Sequence, residues 1–181
     1  MAKQELWDAY DREGNLLGFD LVRGEPIPEG AYHLVAEVYS ITHDGRVLVT
    51  KRHPDKTWGN HWEITAGSVV KGEAPMAGAL RELQEETGIR VTEQDLHPAY
   101  VQTRMGIEGY PSIYHSFVIF FDPAEQTISL QERETVDWRL IPYGEYKEFI
   151  MTDVFTPGMR DRFLDNQEAF DRIIGEHIPV K

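Results

Sequence analysis

From Ile113 to Phe121 the chain is almost continuously apolar and β-prone. A strand of that pattern keeps no polar side for water, so it belongs inside a sheet. Other strand-like stretches surround it. Leu6 to Tyr10 and Leu16 to Val22 read as a hairpin about a turn at residues 12–15, and residues 24–30 form a Gly- and Pro-rich loop. His33 to Thr42 and Arg46 to Lys51 flank an Asp44-Gly45 turn, a good hairpin signal. A loop from Trp58 to Trp62 precedes a short strand, Glu63 to Ala66, and Val136 to Ile141 is a further strand. Pro75 in a first turn, then Met76, Ala79, Leu80 and Leu83 at helical spacing, predict a helix that stops at Gly88. Thr156-Pro157 predicts the cap of a C-terminal helix whose apolar face is Met159, Phe163, Phe170 and Ile174. Strands with interspersed helices imply an α/β or α+β class with a mixed sheet. With no repeat or linker, residues 1–181 are expected to form one domain, residues 1–30 being an N-terminal hairpin extension.

Composition narrows the function classes. Eighteen basic residues against 31 acidic ones give a net charge of −13. Such a surface repels a nucleic-acid backbone, which is bound mainly through Lys and Arg. A small anionic substrate is compatible only if a cation masks the carboxylates at its site. The absence of cysteine excludes disulfides, a thiol nucleophile and a cysteine metal centre. No long uncharged apolar run or signal-peptide pattern is present, so a cytoplasmic location away from membranes is the simplest expectation.

The chemistry concentrates on the helix that ends at Gly88. Glu82, Glu85 and Glu86 stand at i, i+3 and i+4, so their side chains project within an arc of roughly 100°. Like charges at that spacing repel by a few tenths of a kcal/mol, and the C-terminal end of a helix disfavours negative charge. Two local rules are broken together, as happens at functional sites. A bound divalent cation resolves the conflict, and an all-oxygen ligand set suits Mg²⁺ or Mn²⁺. Taken alone, the ExxEE cluster would be an acidic solvated face.

The flanking residues change those odds. Gly67, Glu73, Arg81-Glu82-Leu83, Glu85-Glu86 and Gly88-Ile89 fill every specified position of G-x5-E-x7-R-E-U-x-E-E-x-G-U, with U apolar. Seven fixed residue types, each with a frequency of roughly one in fifteen, coincide by chance at on the order of one start in 10⁸. Residues 67–89 resemble the Nudix box. That resemblance implies a Nudix-type α/β/α sandwich with a mixed sheet, a loop–helix–loop box and metal-dependent pyrophosphohydrolase activity. It implies metal binding by Glu82, Glu85 and Glu86, with Glu82 also a candidate general base, and a further metal ligand from the carbonyl of Ala66 or Gly67. It also implies an ion pair between Glu73 and Arg81 that ties loop to helix, backbone-geometry roles for Gly67 and Gly88, and Mg²⁺ or Mn²⁺ as cofactor. An additional loop acid is common in the family. Glu132 and Glu134 are the candidates here, and solvated loop acids are an equal alternative for both.

Upstream residues are similar to the isopentenyl-diphosphate isomerase branch of the family: Trp7-Asp8-Ala9-Tyr10-Asp11, Arg23-Gly24, Tyr32-His33-Leu34-Val35 and Leu48-Val49-Thr50-Lys51-Arg52. The isomerase needs a cysteine before the box glycine and a histidine after it. Ala66 and Ser68 hold those places, which favours hydrolysis over isomerisation. His33, matching an isomerase metal histidine, is then a strand residue with a satisfied hydrogen bond. A nucleotide-binding domain without catalysis is the other alternative, but such domains typically lose box glutamates. Arg52, Lys56 and Arg104 are candidate phosphate contacts, and Trp58, Trp62, Tyr100, Tyr110 and Phe117 are candidate stacking surfaces or core. The expected substrate is a small diphosphate, such as a nucleoside diphosphate derivative, and the resemblance allows a homodimer.

Overall fold

The computed structural model describes residues 4–106 and 109–178; residues 1–3 of the N-terminal extension and 179–181 lie outside it. Strands β1 (Leu6–Tyr10) and β2 (Leu16–Val22) pair antiparallel as a separate two-stranded sheet. The main sheet is centred on β3 (His33–Thr42), in which all ten residues are buried. It runs parallel to β8 (Pro111–Phe121) over its whole length, from His33 opposite Ser112 to Thr42 opposite Phe121. β7 (His97–Met105) forms the outer edge beside β8, antiparallel to it. On its other side β3 divides its pairing. Residues Val35 to Val38 meet β6 (Thr65–Ser68), while Ile41 meets β4 (Arg46–Arg52) across the tight turn. β4 in turn carries β5 (Trp62–Glu63) and β9 (Thr135–Pro142), both antiparallel.

Side chains alternate across a strand, so the central strands feed two cores. Leu34, Ala36 and Val38 of β3, Leu48 of β4 and Ile113, Phe117, Ile119 and Phe121 of β8 pack beneath α1 (Pro75–Thr87) with Ala79 and Leu83. Tyr39 and Ile41 of β3, Val47 and Val49 of β4 and Val118 of β8 point the other way. They meet Tyr146 of α2 (Tyr143–Phe149), Met159 and Phe163 of α3 (Pro157–Asp165) and Phe170, Ile173 and Ile174 of α4 (Gln167–His177). The mixed sheet therefore lies between helical layers, an α/β arrangement. The hairpin packs Trp7, Ala9 and Leu21 into a third small core with Tyr110. Among the described residues no helix is long and apolar enough to cross a membrane.

Several elements differ from the sequence expectation. β7 is an edge strand with Val101 and Met105 exposed, so it carries no clean alternation to read. α2 is only seven residues, too short to show a helical period. The expected strand 63–66 is two strands, because β5 pairs with β4 and β6 with β3. The C-terminal helix breaks at Asn166, whose φ of −120° leaves the helical region, so Phe163 and Phe170 sit on different helices. Nor does Thr156 cap α3 with its side chain; its hydroxyl donates to the Trp62 carbonyl at 3.0 Å. α1 ends as expected, with Gly88 at φ 75° donating its N–H to Gln84.

Leu83 is fully buried at the contact of α1 with the sheet. Leu83→Ala is expected to lower the unfolding free energy by about 2–5 kcal/mol in urea denaturation. A loss below about 1 kcal/mol would contradict that packing.

Candidate active site

The loop after β6 returns to α1, and one guanidinium joins the two. Arg81 donates from Nε and Nη2 to the two oxygens of Glu73, at 3.0 and 2.9 Å, and from Nη2 to the Ser68 carbonyl at 2.9 Å. Its Nη1 donates to Glu82 at 2.6 Å and, at a longer 3.3 Å, to Glu85. Glu73 also accepts the Val70 N–H at 3.1 Å, so a single fork–fork pair closes the loop onto the helix. The hydrogen bonds that Arg81 donates to Glu73, first among the influences on it, hold its pKa above its ordinary value. At Gly67 the strand backbone lies so close to Glu82 that a β-carbon would fall inside its carboxylate, so any larger residue there would push that carboxylate aside.

Glu86 is 6% exposed, and its Oε2 has no hydrogen-bond partner. Burial pushes its pKa well above the usual carboxylate range, Glu63 and Glu82 add to this, and Lys56 and Arg52 oppose it. Burial also raises Glu82, against the pull of Arg81, and raises Glu63, against that of Arg52. The carboxylates are desolvated and crowded together, which disfavours their charged forms. Among the described residues no three acidic or histidine side chains are closed into a metal cage. The donor set nevertheless fits a hard cation: oxygen ligands only, one of them an unpartnered buried carboxylate oxygen.

These groups line a cleft of about 330 Å³ that reaches from α1 across β3 and β8 to α3. Ala66, Gly67, Glu82, Glu85, Glu86, Arg52, Lys56 and Glu134 all line it. Arg52 is committed within the protein, with Nη1 on Glu63 at 2.5 Å and Nε on the Thr57 carbonyl at 2.7 Å. Lys56 forms an ion pair with Glu134. Burial, with Arg52 close by, lowers the Lys56 pKa. Other candidates lie elsewhere. Arg104 pairs with Asp165 and does not line the cleft, Glu132 is exposed, and Gly88 sits at the far end of α1 against Ser129. Of the aromatic candidates, Trp62 and Phe117 are core, Tyr100 donates to Glu37, Trp58 stands outside the cleft, and Tyr110 lines it.

The cleft also holds Glu5, Arg23 and Arg162, and Glu63 supports its wall from behind Arg52; none of these belongs to the box or to the candidates that its resemblance implies. Glu5 and Arg23 pair across the N-terminal hairpin at 3.0 Å. A signal existed for Glu37 and Glu63: each is an acid inside an otherwise apolar strand pattern, which demands a buried cationic partner. Arg162 is likewise a lone charge on the apolar face of α3, three residues after Met159.

The sequence profile of one family, the NUDIX domain, matches residues 31–161. An uncharacterised Nudix hydrolase of Listeria monocytogenes is 31% identical over 156 residues, covering 84% of this chain and 89% of the relative. Among solved structures, the protein DR0079 of Deinococcus radiodurans superposes with a TM-score of 0.73 at 14% identity, covering 90% of this chain and 99% of that one. A bifunctional NMN adenylyltransferase/ADP-ribose pyrophosphatase of Francisella tularensis, crystallised with AMP and a manganese ion, gives a TM-score of 0.58 at 21% identity. That match covers 84% of this chain and 43% of the other.

His33, on the cleft wall, shares a 2.9 Å hydrogen bond through Nε2 with Ser112, packs on Trp7 at a 4.2 Å ring separation, and leaves Nδ1 without a partner. Burial lowers its pKa to about 4. As the pH falls below about 6.5 the unfolded chain takes up this proton before the folded one, so His33 removes stability from there down to about 4. The full loss is on the order of 3 kcal/mol. An NMR titration of the imidazole is expected to show a midpoint near 4. A midpoint at the ordinary histidine value would overturn the assignment.

Proposed function

Since the chain belongs to the Nudix hydrolase family, we propose that it hydrolyses the diphosphate linkage of a nucleoside diphosphate derivative or similar organic pyrophosphate, with Mg²⁺ or Mn²⁺ as cofactor. The observation that carries this reading is the buried, unpartnered carboxylate oxygen of Glu86 beside Glu82 and Glu63. Apolar packing does not need carboxylates there, and their mutual repulsion opposes folding unless a cation joins them.

Glu82 and Glu86 would hold the ion, and Glu85, whose contact with Arg81 is long, would be the third carboxylate ligand. A carbonyl of Ala66 or Gly67, which line the same cleft, would complete the oxygen set. When bound, the ion offsets the charge of the diphosphate oxygens and acidifies the attacking water. The residues do the rest. Arg81 and Glu73 fix the box loop, so that Glu82 cannot drift from the Gly67 backbone. Glu82, or Glu134 once its ion pair with Lys56 opens, would take the proton of the water that attacks one phosphorus as the other phosphate leaves. Lys56 then turns its ammonium to the phosphate that the substrate brings, while Arg52 stays on Glu63 and positions that wall. Net charge makes a nucleic-acid substrate unfavourable, and a cytoplasmic site of action accords with a chain without cysteine.

The test combines turnover with stability. Glu86→Gln is expected to lower metal-dependent hydrolysis of nucleoside diphosphates and diphosphate conjugates by at least about 10²-fold. A variant that kept the full rate would remove the mechanism. The pH dependence has a definite sign. Carboxyls whose folded pKa is raised lend stability at low pH and lose it as the pH rises through that value. Metal-free protein should therefore lose the contribution of these carboxyls as the pH rises above 4.5, and the gain in Tm from Mg²⁺ over EDTA should be larger at a neutral pH than at an acidic one. An equal gain at both would contradict binding at these glutamates.

A further inference from the structure

From the helical layer on the other face of the sheet from α1, α3 presents Arg162 to the same cleft, where it is only 4% exposed. One edge of its guanidinium is fully used: Nε donates to both oxygens of Glu37, at 3.1 and 3.2 Å, and Nη2 donates to Glu37 as well. Glu37 is itself completely buried and accepts the Tyr100 hydroxyl at 2.5 Å. The flat face of the guanidinium lies over the Tyr114 ring, 3.7 Å from its centroid. The group is thereby locked in orientation and in charge. Its remaining nitrogen, Nη1, makes no hydrogen bond among the described residues. Beside it stands Gly158, also on the cleft wall, where a β-carbon would come 3.3 Å from Nη1 and meet nothing else. Apolar Met159 and Val35 complete this part of the cleft.

We propose that Arg162 is a specificity residue whose Nη1 donates to a neutral carbonyl oxygen on the organic half of the substrate, opposite the diphosphate end held at the box glutamates. The inference rests on the diphosphate-hydrolase reading and extends it to the part of the substrate that does not react. Charge decides the ligand. Glu37 already offsets the guanidinium, so a second anion at Nη1 would be buried without a counter-charge, whereas a neutral acceptor satisfies the open donor at no such cost. The bidentate pair and the stacked ring make the donor rigid, which favours discrimination because a substrate lacking the acceptor leaves a desolvated N–H unpaired.

The experiment measures dissociation constants by calorimetry, and kcat/KM with Mg²⁺, for matched ligands. Uridine diphosphate is compared with its analogues lacking the C2 or the C4 carbonyl. An oxoalkyl diphosphate is compared with the alkyl diphosphate of equal chain length. The protein is wild type and Gly158→Ala, which leaves the Arg162–Glu37 pair intact, suits a helix better than glycine and crowds Nη1. In wild type the carbonyl-bearing ligand of at least one set is expected to bind about tenfold more tightly or better. Gly158→Ala should bring that ratio to within about twofold of unity. Preference in the uridine set identifies a nucleobase carbonyl, and preference in the alkyl set an acyl one. Equal binding within every set, or a preference that Gly158→Ala leaves unchanged, overturns the role of Arg162 whether or not the ligands are hydrolysed. Carbonyl-dependent binding without any metal-dependent turnover supports Arg162 and removes the hydrolase reading instead.

Discussion

Arg81 is the joint on which the site depends. It ties the loop of residues 68–73 to the acidic end of α1, adding polar contacts to the packing of Val69 beneath the same helix. Its five N–H groups in a fixed plane reach Glu73, the Ser68 carbonyl, Glu82 and Glu85 at once, which the point charge of a lysine could not do. The apolar face of α1 supplies the complementary constraint. Ala79 and Leu83 anchor the helix over β3, and Glu82 and Glu86, three and seven residues after Ala79, lie along the margin of that same buried face, where it meets the cleft. Packing sets the position of the helix on the sheet, and the guanidinium orients Glu82 and Glu85.

Buried charge recurs in this sheet in a consistent form. Arg52 with Glu63 and Arg162 with Glu37 each place a guanidinium on a carboxylate inside an apolar layer. Such pairs add little net stability, because desolvation takes back most of the attraction. Their effect is geometric. They fix polar groups at two walls of a cleft whose floor is negative, and they do so without adding net charge there. Glu86 has no such partner, which separates it physically from Glu37 and Glu63.

Much of the fold was legible in the sequence. The central apolar run became β8, the Asp44-Gly45 turn joins β3 to β4, and Gly88 ends α1 in the left-handed conformation. What escaped has identifiable causes. β7 lies at an edge with mixed exposure, α2 is shorter than two helical periods, and the break at Asn166 depends on packing α3 and α4 against one core from two directions. At the site, the helical spacing of the glutamates was readable, but the partners of long cationic side chains were not. Arg104 went to Asp165 and Arg52 to Glu63, because the nearest buried or facing carboxylate captures a guanidinium and sequence distance does not reveal which one that is.

The sequence by itself determined the family, the box helix and the face on which its glutamates stand, because a 3.6-residue period converts spacing directly into direction. Only the tertiary structure decided the cleft's other walls. Glu5 and Arg23 arrive from the hairpin, Lys56 and Glu134 from two loops, and Arg162 from α3, through contacts between residues far apart in the chain. The sequence could not rank these, since burial and counter-charge arise only when the strands pair. Those two quantities are what distinguish the unpartnered Glu86 from its neighbours and leave one nitrogen of Arg162 open to the cleft.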